Sequence, residues 1–166
     1  MLMIITSMKQ LNICQLLDVY REDIENNVYS NDFAFTQNNR VIEAEQDFLD
    51  YMGDFFKLDG AILCVWEQDG VYMAALRIEP YKDGYLIAGL ETKPTERRKG
   101  YGKKLLRATM EYMRNISAKR IYSHIKNTNV PSFQLHKVCG FSVIQDCAVL
   151  LDGSVFTNYS TLCYEY

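Results

Sequence analysis

Several things are missing from this 166-residue chain, and each absence removes a class of function. No apolar run approaches the ~20 residues that a membrane span requires, so no membrane association is expected. The stretch Met1 to Lys9 has neither a basic start nor a sustained apolar segment, and it reads as a first strand rather than a signal peptide. Positive charge is not in surplus: the net charge is −3, which argues against general nucleic-acid binding. The five cysteines (Cys14, Cys64, Cys139, Cys147 and Cys163) are odd in number and form no C-x-x-C pair. Four of them sit in apolar or strand-like surroundings, so buried free thiols in a reducing cytosol are expected, with no metal site. Repeats, low-complexity tracts and linkers are also missing. What remains is ordinary, with 48% hydrophobic and 23% charged residues, and enough length for one well-packed α+β domain over residues 1–166.

The informative stretch runs from Leu90 to Leu106. A strand-like segment (Tyr85 to Leu90) enters it, Pro94 breaks the strand, and a basic turn with two glycines follows. A helix leaves it, with Leu105, Leu106, Met110 and Met113 on one face and Lys103, Lys104, Arg107, Glu111 and Arg114 on the other. The first N–H groups of such a helix have no intrahelical partner, and its aligned peptide dipoles leave that end partly positive. Gly100 and Gly102 permit positive φ and close approach to the backbone. Arg97, Arg98 and Lys99 add charge, so the turn is built for an anion. It is not a dinucleotide fingerprint, because the third glycine of G-x-G-x-x-G is absent. Nor is it a nucleotide P-loop, which needs four residues between its glycines.

Elsewhere the chain alternates between helical and strand signals. Ser7 and Gln10 suggest a capping box opening a helix to about Glu25, with Ile13, Leu17, Tyr20 and Ile24 inward. Residues 26–40, containing Phe33 and Phe35, read as a long loop. A second helix is expected from Ile42 to Phe56, with Ala44, Phe48, Tyr51, Met52 and Phe55 inside. Its outer face carries Glu43, Glu45, Asp47, Asp50 and Asp54, either a solvated surface or a negative rim for a cationic partner. Ala61–Glu67, Val71–Glu79 and Tyr85–Thr92 read as antiparallel strands joined at Asp69-Gly70 and Asp83-Gly84. Ile121–Lys126 is a further strand, and Asn129-Val130-Pro131 starts a short helix that Gly140 ends. Phe141–Leu151 and Val155–Tyr166 close the chain as a hairpin turned at Asp152-Gly153.

Two motifs together carry a family resemblance. Arg97, Gly100 and Gly102 after a Pro-ended strand form R-x-x-G-x-G, which resembles the acyl-CoA pyrophosphate loop of the GNAT N-acetyltransferase superfamily. Asn129, Ser132, Leu135, Gly140 and Phe141 fit the short helix and return strand that follow the fifth strand in that family. The resemblance implies a mixed central sheet, splayed between the strand ending at Thr92 and the strand starting at Ile121, with acetyl-CoA in the opening. It places the pyrophosphate at the backbone of Arg98, Lys99, Gly100, Tyr101, Gly102 and Lys103, beside Arg97. The pantetheine would pair with Leu90, Glu91 and Thr92 as an added strand, with Asn129 and Ser132 nearby. Main-chain atoms do that recognising, so Thr92 is tolerable in a usually aliphatic slot.

The chemistry then assigns candidate roles. The family often has Tyr after the helix Leu, as a donor to the leaving sulfur. His136 stands there, and a histidine can protonate a thiol of pKa about 8.5. The acceptor side is harder, because an alkyl amine of pKa about 10.4 is neutral in roughly one molecule in 2,500 at pH 7. A base or a water relay is therefore expected: first His124, which stands where a subset of the family has Glu, five residues before the capping Asn129, with Glu91 and Glu79 on neighbouring strands as its rivals. The reading is an N-acetyltransferase acting by direct attack of a primary, possibly cationic amine, as a cytoplasmic monomer or homodimer. A non-catalytic acyl-CoA-binding module and transfer of a longer acyl group are the alternatives.

Overall fold

The computed structural model describes residues 1–29 and 40–166, together with the side chains of all of these except Arg40 and Val41. Most of the loop expected at 26–40, including Phe33 and Phe35, lies outside the described residues. The chain builds a seven-stranded sheet in the order β1-β2-β3-β4-β5-β9-β6. Its first four strands are β1 (Leu2–Ile5), β2 (Ile62–Gln68), β3 (Val71–Tyr81) and β4 (Gly84–Thr92). The others are β5 (Arg120–Lys126), β6 (Ser142–Gln145) and β9 (Tyr159–Glu165). The small strands β7 (Ala148–Val149) and β8 (Val155–Phe156) pair only with each other. The expected closing hairpin is thus divided: its inner ends form a separate ribbon, while β9 inserts between β5 and β6.

The tight turns follow their sequences. Asp69 (φ 53°) and Gly70 (φ 79°) are both left-handed, as a two-residue hairpin matching the strand twist requires. Every strand contact in the large sheet is antiparallel except one: β4 and β5 run parallel, paired only over Tyr85–Ile87 and Ile121–Ser123. Beyond Ile87 and Ser123 the two strands separate. A bulge on β4 marks the place, since the register with β3 shifts between Arg77–Gly89 and Ile78–Ile87, leaving Ala88 unmatched.

Helices cover both faces. α4 (Tyr101–Asn115) buries Leu105, Leu106, Thr109, Met110 and Met113, the face its apolar spacing specified, against Cys64, Leu76, Ile78, Ile121 and Leu162. The opposite face is closed by α1 (Ile13–Val19), α2 (Arg21–Glu25) and α3 (Arg40–Phe55), which bury Tyr20, Ile24, Phe48 and Met52 on Leu63, Val65 and Ala75. The single helix expected from Ser7 to Glu25 is broken in two at Tyr20. Ser7 and Gln10 bracket only a 3-10 turn, and the cap of α1 is Asn12, whose side chain accepts from Gln15 N. Tyr20 and Ile24 are buried as expected, but within α1 the buried residues are Leu16 and Val19, and Ile13 is exposed. α5 (Val130–Val138) is capped by Asn129, whose Oδ1 accepts from Ser132 N at 3.2 Å. Asn129→Ala should cost about 1 kcal/mol in chemical denaturation, the usual value of such a cap. Among the described residues, no helix is long and apolar enough to cross a membrane.

Candidate active site

Where β4 and β5 part, a cleft of about 640 Å³ opens. Leu90, Glu91 and Thr92 form one wall, the turn and first residues of α4 form the floor, and Asn129, Pro131, Ser132 and Leu135 form the opposite side. Residues that stood in two separate motifs therefore share one cavity. The binding residues expected from the sequence, with the exception of Lys99 and His136, line it. Lys99 turns outward to Glu96 at 2.9 Å.

The floor is shaped for an anion. Arg98 (φ 62°) and Gly100 (φ 84°) are both left-handed, which bends the chain so that successive amides face one side. The first α4 hydrogen bond runs from Lys104 N to the Gly100 carbonyl at 3.0 Å, so the amides of Tyr101, Gly102 and Lys103 precede it. No side chain caps this end. Gly102 explains the tight fit of the floor: a Cβ there would lie 3.2 Å from Thr92 Oγ1, 3.5 Å from Leu90 Cδ2 and 3.6 Å from Leu135 Cδ2. Arg97 reaches across the mouth. Its Nε donates to the Thr92 carbonyl at 3.4 Å, and its Nη2 is ion-paired with Glu22 and lies 3.7 Å from Glu91.

Three carboxylates line the same cleft, two of them beside Arg97: Glu22 and Asp23 of α2, and Glu91 of β4. Burial, with Asp23 and Glu22 adding to it, pushes the Glu91 carboxyl up to about 7, against the opposing pull of Arg97 and Arg77. Glu22 and Asp23 carry no local sequence signal; they lie nearly seventy residues from Glu91, on the short helix α2. The acidic residues of α3 are placed elsewhere. None of Glu43, Glu45, Asp47, Asp50 and Asp54 lines the cleft, and Glu45 is engaged with Arg21 at 2.6 Å.

The histidines and Glu79 stand outside this cavity. His136 is 2% exposed, and its Nδ1–H donates to the Ser132 carbonyl at 2.8 Å. Its ring meets Phe141 edge-on at 5.0 Å, and Nε2 is buried without a partner among the described residues. Burial holds its pKa below the ordinary histidine value, so the neutral form with its proton on Nδ1 prevails. His124 sits on β5 one residue past the last parallel pair, half-buried, with its ring edge-on to Tyr81 at 5.3 Å. Burial and, secondarily, Lys82 lower its pKa. Glu79 is a half-buried carboxyl that burial raises, and it does not reach the cleft wall. Cys139, near His136 in sequence, has its thiol raised by burial, which is the wrong direction for a nucleophile.

Comparison with known proteins is consistent across two approaches and silent in a third. The model of the acetyltransferase (GNAT) family matches residues 23–141, which include the glycine turn and α5. Solved structures share the fold. The PaiA N-acetyltransferase of Thermoplasma acidophilum, in complex with coenzyme A, has a TM-score of 0.69 at 15% identity, over 100% of this chain and 99% of that one. The ribosomal-protein-alanine N-acetyltransferase of Brucella melitensis gives 0.66 at 17% identity, over 99% of each chain. The yncA protein of Salmonella typhimurium, with its cofactor acetyl-CoA, gives 0.62 at 17%, over 99% and 93%. No curated protein matches the chain. The family match spans well over half of the sequence, and the solved structures share the overall fold: the chain belongs to the acetyltransferase (GNAT) family.

Proposed function

We propose that this protein transfers an acetyl group from acetyl-CoA to a primary amine by direct attack within a ternary complex. The observation that carries this reading is the single cleft uniting an uncapped helix start with a wall of carboxylates. The residues present suit the cofactor: the amides of Tyr101, Gly102 and Lys103 with Arg97 and Arg98 would hold its diphosphate, and the side-chain-free Gly102 leaves them accessible. The free backbone edge of Leu90, Glu91 and Thr92 would take the pantetheine arm as a strand, with Asn129 and Ser132 opposite. When bound, acetyl-CoA supplies an activated thioester.

Glu91 is the base in this reading. A carboxylate titrating near neutrality is well matched to accept a proton from an ammonium group as it becomes a nucleophile. Glu22 and Asp23 would hold the incoming cation in its charged form until Glu91 takes the proton. Backbone N–H groups of β4 beyond the bulge would polarise the acetyl carbonyl. His136, whose proton is committed to the Ser132 carbonyl, is assigned a packing role against Phe141 rather than that of the acid.

A panel of primary amines, each incubated with acetyl-CoA while thiol release is followed, tests the proposal. Acceptor-dependent release with one N-acetylated product per thiol is expected, strongest for amines carrying a second positive charge. Binding of acetyl-CoA without release for any amine would replace the enzyme by a binding module.

A further inference from the structure

β3 reads as an apolar strand interrupted by one cation, Arg77 in Ala75-Leu76-Arg77-Ile78, and the structure buries that cation to 6% exposure. Desolvating a guanidinium is costly, so what surrounds it matters. No carboxylate forms an ion pair with it among the described residues. Its carbon lies 5.3 Å from the ring centre of Tyr20, 5.5 Å from that of Tyr29 and 4.8 Å from that of Tyr51. Three aromatic faces at such distances hold a cation through their quadrupoles. They come from three places: Tyr20 from the junction of α1 and α2, Tyr29 from just after α2, and Tyr51 from α3.

The other side of the guanidinium rests on β4. A Cβ on Gly89, the residue paired with Arg77, would lie 2.3 Å from Nη2, 3.1 Å from the guanidinium carbon and 3.2 Å from Nε. The planar group thus lies over a residue that has no side chain, at the bulge where the strands part. Nη2 donates to the carbonyl of Ala88, the unmatched residue, at 3.4 Å. From the aromatic side the connection continues into the cleft, because the Tyr29 hydroxyl donates to Asp23 Oδ2 at 3.1 Å.

We infer that Arg77 is a positioning residue for the transfer reaction: one buried cation ties the β4 bulge to the α2 wall and sets Asp23 and Glu91 in place for the acceptor. The inference rests on the proposed function above. The groups facing Glu91 are Asp23 and Glu22 from α2, Arg97 from the turn after β4, and Arg77 from β3. Of these, Arg77 is the deeply buried one and so the least screened by solvent. It pulls the Glu91 and Asp23 carboxyls downward, against their desolvation. The anion-binding turn is not among its neighbours, so cofactor affinity should be insensitive to it.

The test uses the full chain with Arg77→Leu, Arg77→Lys and Gly89→Ala. For Arg77→Leu, the acceptor KM should rise about tenfold or more while the KM for acetyl-CoA stays within about twofold. The acid limb of kcat/KM should move up by about one pH unit, since a removed cation no longer favours the ionised carboxyl. Arg77→Lys should restore the pH profile but not the acceptor KM, because it keeps the charge and loses the planar contact. Gly89→Ala should raise the acceptor KM by displacing the guanidinium, and should add little once Arg77 is Leu. A folded Arg77→Leu or Gly89→Ala variant with wild-type acceptor KM and acid limb would overturn the inference. If Arg77→Leu does not fold, Gly89→Ala decides alone. Carbon-13 NMR titration of Glu91 in wild type and Arg77→Leu reads the electrostatic half without turnover. An unchanged Glu91 midpoint refutes the inference, whereas a wild-type enzyme that acetylates no amine refutes the proposed function.

Discussion

Glu91→Gln should lower kcat/KM for a primary amine by about 10²–10⁴-fold, the usual contribution of a positioned proton acceptor, and should remove the acid limb of the pH profile near pH 7. The amide keeps the shape of the side chain and cannot accept the proton, so acetyl-CoA affinity should change little. The same substitution has a stability signature of opposite direction. The Glu91 carboxyl titrates higher in the folded protein than its ordinary value, because burial disfavours the charge. Below the unfolded pKa the group is neutral in both states and costs nothing. As pH rises toward and through about 7, the folded protein must ionise a half-buried carboxyl that the unfolded chain ionises freely, and stability is lost. Glu91→Gln should therefore raise the Tm at pH 8 and leave it almost unchanged at pH 4. A variant less active and also less stable at pH 8 would point to a structural lesion instead of a lost base. Unchanged turnover would return attention to His124 on the neighbouring strand.

Gly100→Val should weaken acetyl-CoA binding by about tenfold to a hundredfold, read by titration calorimetry and by the loss of thermal protection. The reason lies in the backbone alone. Gly100 has φ 84°, and a Cβ built there meets nothing within 4 Å. A side chain would fit, but an L-residue resists the left-handed conformation by roughly 1–2 kcal/mol, and a β-branched one more so. Relief comes from reopening the turn, which takes the amides of Tyr101, Gly102 and Lys103 off a common focus. The effect should grade from Asn, which tolerates this region, through Ala to Val. Equal losses for all three would indicate a steric block at the cleft and contradict the backbone account.

The elements that sequence pattern resolves well are those where local chemistry and tertiary demand agree. The apolar spacing of α4 names its buried face, Asp69-Gly70 names its turn, and Asn129 with Pro131 names the start of α5. The α1–α2 region misleads because its capping signal at Ser7 competes with Asn12, and the helix is interrupted at Tyr20, which the periodicity correctly places inward. At His136 the motif suggests a proton donor, and the structure adds what the motif does not carry: a buried ring whose Nδ1–H donates to the Ser132 carbonyl.

Sequence alone determined the basic glycine turn before α4, since two glycines, a helix start and three basic residues act within a few residues of one another. The tertiary structure alone decided which carboxylates face the cleft. Glu22, Asp23 and Glu91 meet only once the fold brings α2 to the cleft, and the titration of Asp23 and Glu91 depends on burial and on distant neighbours such as Arg77 that no local pattern encodes. Helix starts and turns are short-range events fixed by nearest neighbours; desolvation and charge coupling are set by whatever distant chain the fold brings alongside.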